Sequence, residues 1–585
     1  MGKRLPRLSF ILFTLPILLV FTLSSCAPLP PKTPVSFTIL HTNDFHGQLE
    51  ASGSNPGAAR VAALIKNVRT EAGDSKVLLA DAGDEMQGSL LSNIGNGEPS
   101  GKGMPTIAAF NAIGYDVATF GNHEFDWGQA NLSARTTQAA YPFVTANIVK
   151  NDTGSCETAG WTLPPFADAP YRIFTVGSAP SAVKVAFIGV TTTEAPSIIL
   201  QSATAGLCFR DPAESILHYY DAMKKEGAEI IVVLSHLGLD DGGYGYGIPV
   251  YGDKTLALRL NDAGKPADLI IGGHSHTDMA AAAVVGKTTI GQAYCNGRKV
   301  GRADVTVGTD GAVRITWSSL PVPVGGAKEA TVDEVVNSFA DSPSYTKLVN
   351  AAVGYSAVDL HRSGGRLDNM MGDFINDAVY GYLNGDNEPA NDVEMVLNNA
   401  GGIRTDWCYK NGAWMNSGCA EGVHAPALLN YGRMYTILPF GNSTVVGKMS
   451  GEAVLEVLEH GPDDTKGVIQ PSGLRYSYSS DVNPGGEPKA RRVYDVTVYN
   501  RTSGTWEPLD PKGSYRVGTN EFLAPAGGDG YAGFKALTGV SYWGDMLDQV
   551  NAYIADHYGS PDKAYRGPNN DGSLDGRINR LGPEK

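Results

Sequence analysis

The 585-residue chain carries a formal net charge of −15, with 42% hydrophobic and 18% charged residues. That balance excludes a disordered chain and supplies core for several domains of roughly 100–200 residues each. The acidic surplus argues against a nucleic-acid backbone as partner, while an anionic small substrate stays within reach if bound metal inverts the local charge.

In chain order, Lys3, Arg4 and Arg7 form a basic start, and residues 10–23 form an apolar stretch broken by Pro16. The stretch is too short for a comfortable membrane span and fits a secretory leader. It ends "LSSC", which resembles a bacterial lipobox with Cys26 as the lipidated residue, and the Pro-rich spacer "APLPPKTP" follows. Cleavage without lipidation is the alternative, and both readings export the protein. Residues 1–34 are thus leader and spacer, the expected location is the cell envelope, periplasm or extracellular face, and membrane contact runs only through the lipid at Cys26. Export permits disulfides among Cys156, Cys208, Cys295, Cys408 and Cys419. Cys408 with Cys419 closes a short loop and Cys156 with Cys208 is the next choice, leaving Cys295 free, although sequence alone does not fix the connectivity.

Between residues 35 and 323 the runs "FTIL" (37–40), "VLLA" (77–80), "VAFIGV" (185–190), "IIVVLSH" (230–236) and "ADLIIGGH" (267–274) read as strands buried on both faces, with helices outside. "PVPVGG" (321–326) breaks the pattern, and residues 332–353 read as a helical connector interrupted at Pro343. Beyond Asp359, "RLDNMMGDFINDAVY" reads as helix, while "VEMVLNN" (393–399) and "YTILPF" (435–440) read as strands. "EAVLEVLEHG" (452–461) is an amphipathic helix closed by glycine. "RVYDVTVYN" and "YRVGTN" add strands, and "GGDGY" (527–531) is a turn.

The strand ends carry the chemistry. "FTIL" runs into "HTNDFHG" with Asp44 and His46; "VLLA" runs into "DAGDEMQG" with Asp84. The short run 116–120 opens into "GNHEFDWG", "IIVVL" into "SHLG" with His236, and "ADLII" into "GGHSH" with His274 and His276. Each sits beside a small residue that lets backbone approach closely. Any one could be an Asx turn or a cap. Five together point to one site, because ligands of open α/β sheets bind at the carboxyl ends of strands. Asp, His and Asn donors suit divalent ions such as zinc or manganese.

The ordered segments "DxH", "GD", "GNHE", "H" and "GHxH" resemble the signature of calcineurin-like metallophosphoesterases. "HTNDFHG", "GNHEFD" and "GGHSH" are similar to the 5′-nucleotidase and UDP-sugar hydrolase branch, whose second domain has counterparts in "NAGGIR" (399–404), "LPFGN" (438–442) and "GGDGY". The resemblance covers nearly all of the chain after residue 35. It implies an α/β protein with an N-terminal four-layer α/β/β/α metallophosphoesterase sandwich over residues 35–325. A helical linker (326–356), a smaller C-terminal α/β substrate-binding domain (357–565) and a tail (566–585) would follow.

The same resemblance implies two divalent metal ions, zinc, manganese or similar. Asp44, His46, Asp84 and His276 would hold one; Asp84, Asn122, His236 and His274 would hold the other, with Asp84 bridging. His276 stands where other members carry Gln or Asn. His123 would act on substrate, oriented by Asp126, while Glu124 is assigned a structural role and His41 a packing role. In the second domain, Arg362, Arg366 and Arg404 would contact phosphate or ribose. Asn399 and Asp529 would contact the nucleoside, and Phe440 would form one jaw of a clamp on the base. "FLAPAGGDGY" places Phe522 one residue farther from "GGD" than the usual pattern, so Phe522 or Leu523 supplies the other jaw. The implied function is an exported phosphohydrolase acting on nucleoside 5′-monophosphates. UDP-sugar or dinucleotide pyrophosphatase activity is the alternative, as is a 2′,3′-cyclic-nucleotide phosphodiesterase with 3′-nucleotidase activity. Asp126 argues against the last, whose members tend to carry Asn there. A catalytically dead nucleotide-binding lipoprotein would lack a metal ligand or His123, and neither is missing.

Overall fold

The computed structural model describes residues 33–581 except 74–75, 96–100, 180, 200, 243–249, 386–391, 417–418, 421, 463–466, 480–490 and 526. The leader and Cys26 lie outside the described residues. Among those described, no helix is long and apolar enough to cross a membrane.

Two six-stranded sheets build the first half. One runs in the order Val313–Pro321, Lys299–Val307, Val35–Thr42, Val77–Asp81, Val117–Thr119, Phe143–Val144; the other runs Ala283–Val285, Thr288–Gln292, Leu269–Gly272, Ile230–His236, Val183–Thr191, Tyr171–Val176. Side-chain alternation along a strand explains the layering. Phe37 and Ile39 point into the core shared with Ile188, Val233 and Ile270 of the second sheet. Leu40 and Leu79 point the other way, onto Ile65 and Phe110 of helices Ala58–Ala72 and Met104–Ile113. On the far side, Ile216 and Leu256 from helices Pro212–Lys225 and Asp253–Asp262 close the second sheet. The result is helix, sheet, sheet, helix.

The second half centres on a five-stranded sheet ordered Ile469–Ser472, Met395–Asn399, Ser514–Asn520, Ser443–Ser450, Thr538–Asp545. Met395 and Leu397 face the helix Gly451–His460, while Val396 faces Met370–Leu383 and Met546–Tyr558. A four-stranded sheet follows the order Thr505–Pro508, Val493–Asn500, Leu474–Ser479, Ile578–Leu581, so the last strand lies within residues 566–585. Disulfides join Cys156 to Cys208 and Cys408 to Cys419, and Cys295 is free and buried.

Three local expectations change. "YTILPF" is not a strand: Tyr431–Ile437 is helical, because Asn430 Oδ1 accepts from the Arg433 amide and Tyr431, Met434 and Tyr435 repeat at helical spacing. The connector helix stops at Val349, after Ala330–Ala340 and Pro343–Val349. Val353 instead belongs to the strand Ala352–Val358, which pairs with Val423–Asn430. The helix expected from Arg366 begins only at Met370, where Asn369 Oδ1 caps the Gly372 amide. The break at Pro343 and the helix over 451–460 are as expected, and "GGDGY" contains one 3₁₀ turn, Gly528–Gly530.

Candidate active site

Five candidate ligands sit in left-handed backbone: Asp44 (φ 49°), His46 (51°), Asp84 (58°), His274 (74°) and His276 (49°). Non-glycine residues avoid that region unless the surroundings over-determine it, and such strain gathers at functional sites. Here the loops are crowded together. A Cβ on Gly121 would stand 2.1 Å from Asp84 Oδ1, and one on Gly83 would stand 2.4 Å from the Gly121 nitrogen. Only glycine permits that crossing. Glu124 locks it: its carboxylate accepts from the amides of Asp84 and Gly121 (both 2.7 Å) and Glu85 (2.8 Å). Burial pushes its pKa up to about 7, and its structural assignment holds. His41 is fully buried and its Nε2 accepts from the Trp317 indole at 2.9 Å, which is packing, as expected.

The donors gather into two groups, Asp44, His46 and His276, and Asp84, His236 and His274; within each the donor atoms lie within 4.8 Å of one another. Their hydrogen bonds show which atoms are left for a cation. His46 Nδ1 lies 2.9 Å from the Gln87 carbonyl and His236 Nδ1 lies 2.7 Å from the Ala82 carbonyl. A carbonyl only accepts, so each proton sits on Nδ1 and each Nε2 offers a lone pair. His236 Nε2 is buried 3.0 Å from Asp84 Oδ2 without hydrogen-bond geometry. His46 Nε2 and His276 Nε2 face each other at 2.9 Å. His274 Nε2 lies 3.0 Å from Glu194 Oε1, and its Nδ1 lies 2.9 Å from Asn122 Oδ1. With the proton on the Glu194 side, two acceptors converge at Asn122. Lone pairs turned toward one another in this way fit divalent cations.

Asp84 stands at the junction. Its Oδ1 accepts from the His123 amide at 2.9 Å, and its Oδ2 is 4.0 Å from His46 Nε2 as well as 3.0 Å from His236. Burial opposes its charge, but His236 and His123 hold its carboxyl well below the usual range. His123 Nδ1 lies 2.8 Å from Asp126 Oδ2. Burial works against its charged form, yet Asp126 and Asp84 raise its pKa to about 9. His276 is the most open ligand candidate, with 42% of its side chain exposed.

His46, Asp84, Asn122, His123, Asp126, His274 and His276 line one wall of a cleft of about 1120 Å³, with Asp44 and His236 fully buried, and the second half of the chain lines the other wall. Asn399, Arg404, Phe440, Phe522 and Asp529 all face it. Asn399 Nδ2 donates to Asp529 Oδ2 at 3.1 Å, and the Arg404 guanidinium lies 5.4 Å from the Phe440 ring centre. Leu523 is fully buried in the core, so Phe522 is the side chain presented to the cleft. Arg362 and Arg366 stand outside this lining. Burial lowers the Arg362 pKa, with Asp406 and Arg404 as charged neighbours, while the Arg366 carbonyl accepts from Tyr478. Sequence reasoning missed Glu194 and also Asn43, whose Nδ2 donates to Asp44 Oδ2 at 2.6 Å. The available signal was the strand Val183–Thr191, a strand end without an assigned ligand; Glu194 follows it by three residues.

The family profile of calcineurin-like phosphoesterases matches residues 37–278, and that of the 5′-nucleotidase C-terminal domain matches residues 352–537. A trifunctional nucleotide phosphoesterase of Bacillus subtilis is 29% identical over 554 residues, covering 87% of this chain but 33% of that protein. The chain thus spans about a third of that relative's length. Snake venom 5′-nucleotidase of Naja atra is 27% identical over 567 residues, covering 88% of this chain and 95% of the venom protein. The 5′-nucleotidase precursor of Thermus thermophilus superposes with a TM-score of 0.64 at 26% identity, covering 94% of this chain and all of the other.

Proposed function

The chain belongs to the 5′-nucleotidase family of calcineurin-like phosphoesterases, and from that premise we propose that it is an exported hydrolase that releases phosphate from nucleoside 5′-monophosphates. One observation carries the reading: two donor groups meeting at Asp84 face an Asn, Asp and Phe wall across a single cleft, with His123 between them. Asp44, His46, Asp84 and His276 would hold one divalent ion, and Asp84, Asn122, His236 and His274 the other. When bound, such ions supply Lewis acidity, a water nucleophile at neutral pH and neutralisation of phosphoryl charge.

The chain's own groups do the rest. Asp126 fixes the proton of His123 on Nδ1 and favours the imidazolium, so Nε2–H is aimed at the cleft. From there it stabilises charge on the phosphoryl group or protonates the departing ester oxygen. Asn399 and Asp529 hold the nucleoside, Arg404 meets phosphate or ribose, and the base stacks between Phe440 and Phe522. Arg362, beside Arg404, and Arg366, whose carbonyl accepts from Tyr478, stand behind the cleft lining. Two disulfides support export, since such bonds persist in oxidising compartments.

The size of the cleft favours a second reading beside the first. It exceeds the roughly 300–1,000 Å³ of ordinary small-molecule pockets, which leaves room for a pyrophosphate-linked substrate. Phosphate release from nucleoside mono-, di- and triphosphates, cyclic nucleotides, UDP-glucose and NAD tests both. Preference for AMP-like esters supports the proposal; turnover of UDP-glucose or NAD alone overturns it in favour of a pyrophosphatase.

A further inference from the structure

A second acidic cluster lies where the C-terminal strand meets the second half of the chain, and none of its members lines the catalytic cleft. Asp368 precedes the helix Met370–Leu383, Asp373 sits in its first turn, and Asp575 precedes the strand Ile578–Leu581. One oxygen from each lies within 4.8 Å of the others. Asp377, one helical turn beyond Asp373, flanks them.

Arg577 is the obvious counter-ion, but its donors are committed. Its Nη1 and Nη2 donate to the two oxygens of Asp377 at 2.6 and 2.7 Å, and its Nε donates to Asp575 Oδ1 at 2.9 Å and lies 3.3 Å from Asp373 Oδ1. Arg475 Nη2 reaches the other Asp575 oxygen at 3.3 Å. Asp368 Oδ2 accepts from the amides of Gly576 and Arg577. Asp368 Oδ1 and Asp373 Oδ2 are then buried with no hydrogen-bond partner, on side chains of residues only 8% and 2% exposed. The Tyr565 hydroxyl is a third buried oxygen without a partner, and the charges of Asp377, Asp373 and Arg577 act on it. A buried carboxylate oxygen without a donor costs well over a kilocalorie, so two in one cluster call for an occupant. Burial raises the pKa of Asp368 and lifts that of Asp373 well above the usual carboxylate range, so neither charge is comfortable in the cluster as it stands.

We propose that Asp368, Asp373 and Asp575 form a structural calcium site that ties the C-terminal strand to the start of the helix Met370–Leu383. The donors are all oxygen, the class calcium prefers, and calcium accepts such carboxylates in flexible geometry. Magnesium demands tighter, octahedral packing at about 2.0–2.1 Å. The site is independent of the catalytic reading, since it shares no residue with it.

Titration of the full-length protein with calcium tests this, followed by Tm and by terbium luminescence sensitised through tyrosine. We expect half-saturation on the order of 10⁻⁴–10⁻³ M, as in extracellular calcium modules, with Tm raised by about 2–4 °C at tenfold excess. Asp84→Asn should respond like wild type, while Asp373→Asn should bind at least tenfold more weakly. Asp575→Asn keeps an oxygen for Arg577 and serves the same purpose if Asp373→Asn does not fold. No response of wild type up to about 10 mM calcium means that protons or water fill the cluster, and overturns the proposal. A response abolished by Asp84→Asn but kept by Asp575→Asn assigns the binding to the catalytic cleft and overturns it equally.

Discussion

Glu194 Oε1 lies 3.0 Å from His274 Nε2, across 80 positions of sequence. A carboxylate there holds the imidazole proton on Nε2 and turns Nδ1 toward Asn122. Partners of this kind are typically worth 10–100-fold in metal affinity. Glu194→Ala should therefore weaken binding of one ion by about that factor, with Glu194→Gln falling between it and wild type. Asp84→Asn, at the junction of both donor groups, should reduce both ions and activity together. Chelator competition and elemental analysis measure each; a full complement held at wild-type affinity in Glu194→Ala would remove Glu194 from the site.

His123 should behave in the opposite way. It touches Asp84 through its backbone amide and reaches the cleft with its ring, so His123→Ala should keep its metals and its Tm. Turnover should fall by about 10²–10⁴, the range for acid–base and electrostatic groups. Asp126→Asn should reproduce part of that loss, because it removes the charge that favours the imidazolium. Steady-state kinetics beside metal analysis separates the cases, and wild-type turnover in His123→Ala excludes the ring from the reaction.

The contrast between these two residues shows what is legible in sequence. His123 and its neighbours stand on contiguous segments at the ends of buried strands, with Gly83, Gly121, Gly272 and Gly273 at three of them, so the pattern survives in one dimension. Glu194 belongs to the site only because the strand Val183–Thr191 pairs with Ile230–His236, and pairing is not written locally. The helix Tyr431–Ile437 escapes a strand reading of "YTILPF" because that window cuts off the apolar Tyr431 and Met434 that set its helical period. Phe522 and Leu523 compete in sequence since adjacent residues face opposite ways, and only packing decides which is core. Arg362 and Arg366 stand four apart in sequence, but neither lines the cleft, and a left-handed Ser363–Gly365 turn lies between them.

His41 gives a prediction for acid stability. Burial depresses its pKa from 6.5 to about 3. The unfolded chain therefore binds a proton below pH 6.5 that the folded chain refuses until about pH 3. Its contribution is fully present above pH 6.5 and is lost as pH falls across that window, by an amount on the order of 5 kcal/mol at the acid end. His41→Gln, which keeps an acceptor for the Trp317 indole, should show a shallower fall in Tm over the same range when both proteins are metal-free. Parallel pH profiles would mean that His41 is protonated in the fold or exposed to water.

The last prediction concerns how the two halves share the work. The donor groups and His123 come from the first half, whereas Arg404, Phe440 and Phe522 come from the second. Phe440 presents its ring to the cleft with the Arg404 guanidinium 5.4 Å from its centre. A base entering the cleft would stack on that ring, a contact worth about 1–3 kcal/mol in nucleic-acid systems. Phe440→Ala should then lower kcat/KM for AMP by roughly 5–150-fold on that magnitude. p-Nitrophenyl phosphate has no nucleobase, needs only the metal wall and His123, and should be spared. The fold itself should hold, because Phe440 is only partly buried and lies outside the large fully buried side chains of the core. Equal losses on both substrates, or a lowered Tm with them, would show that Phe440 supports the architecture and that the base is held elsewhere.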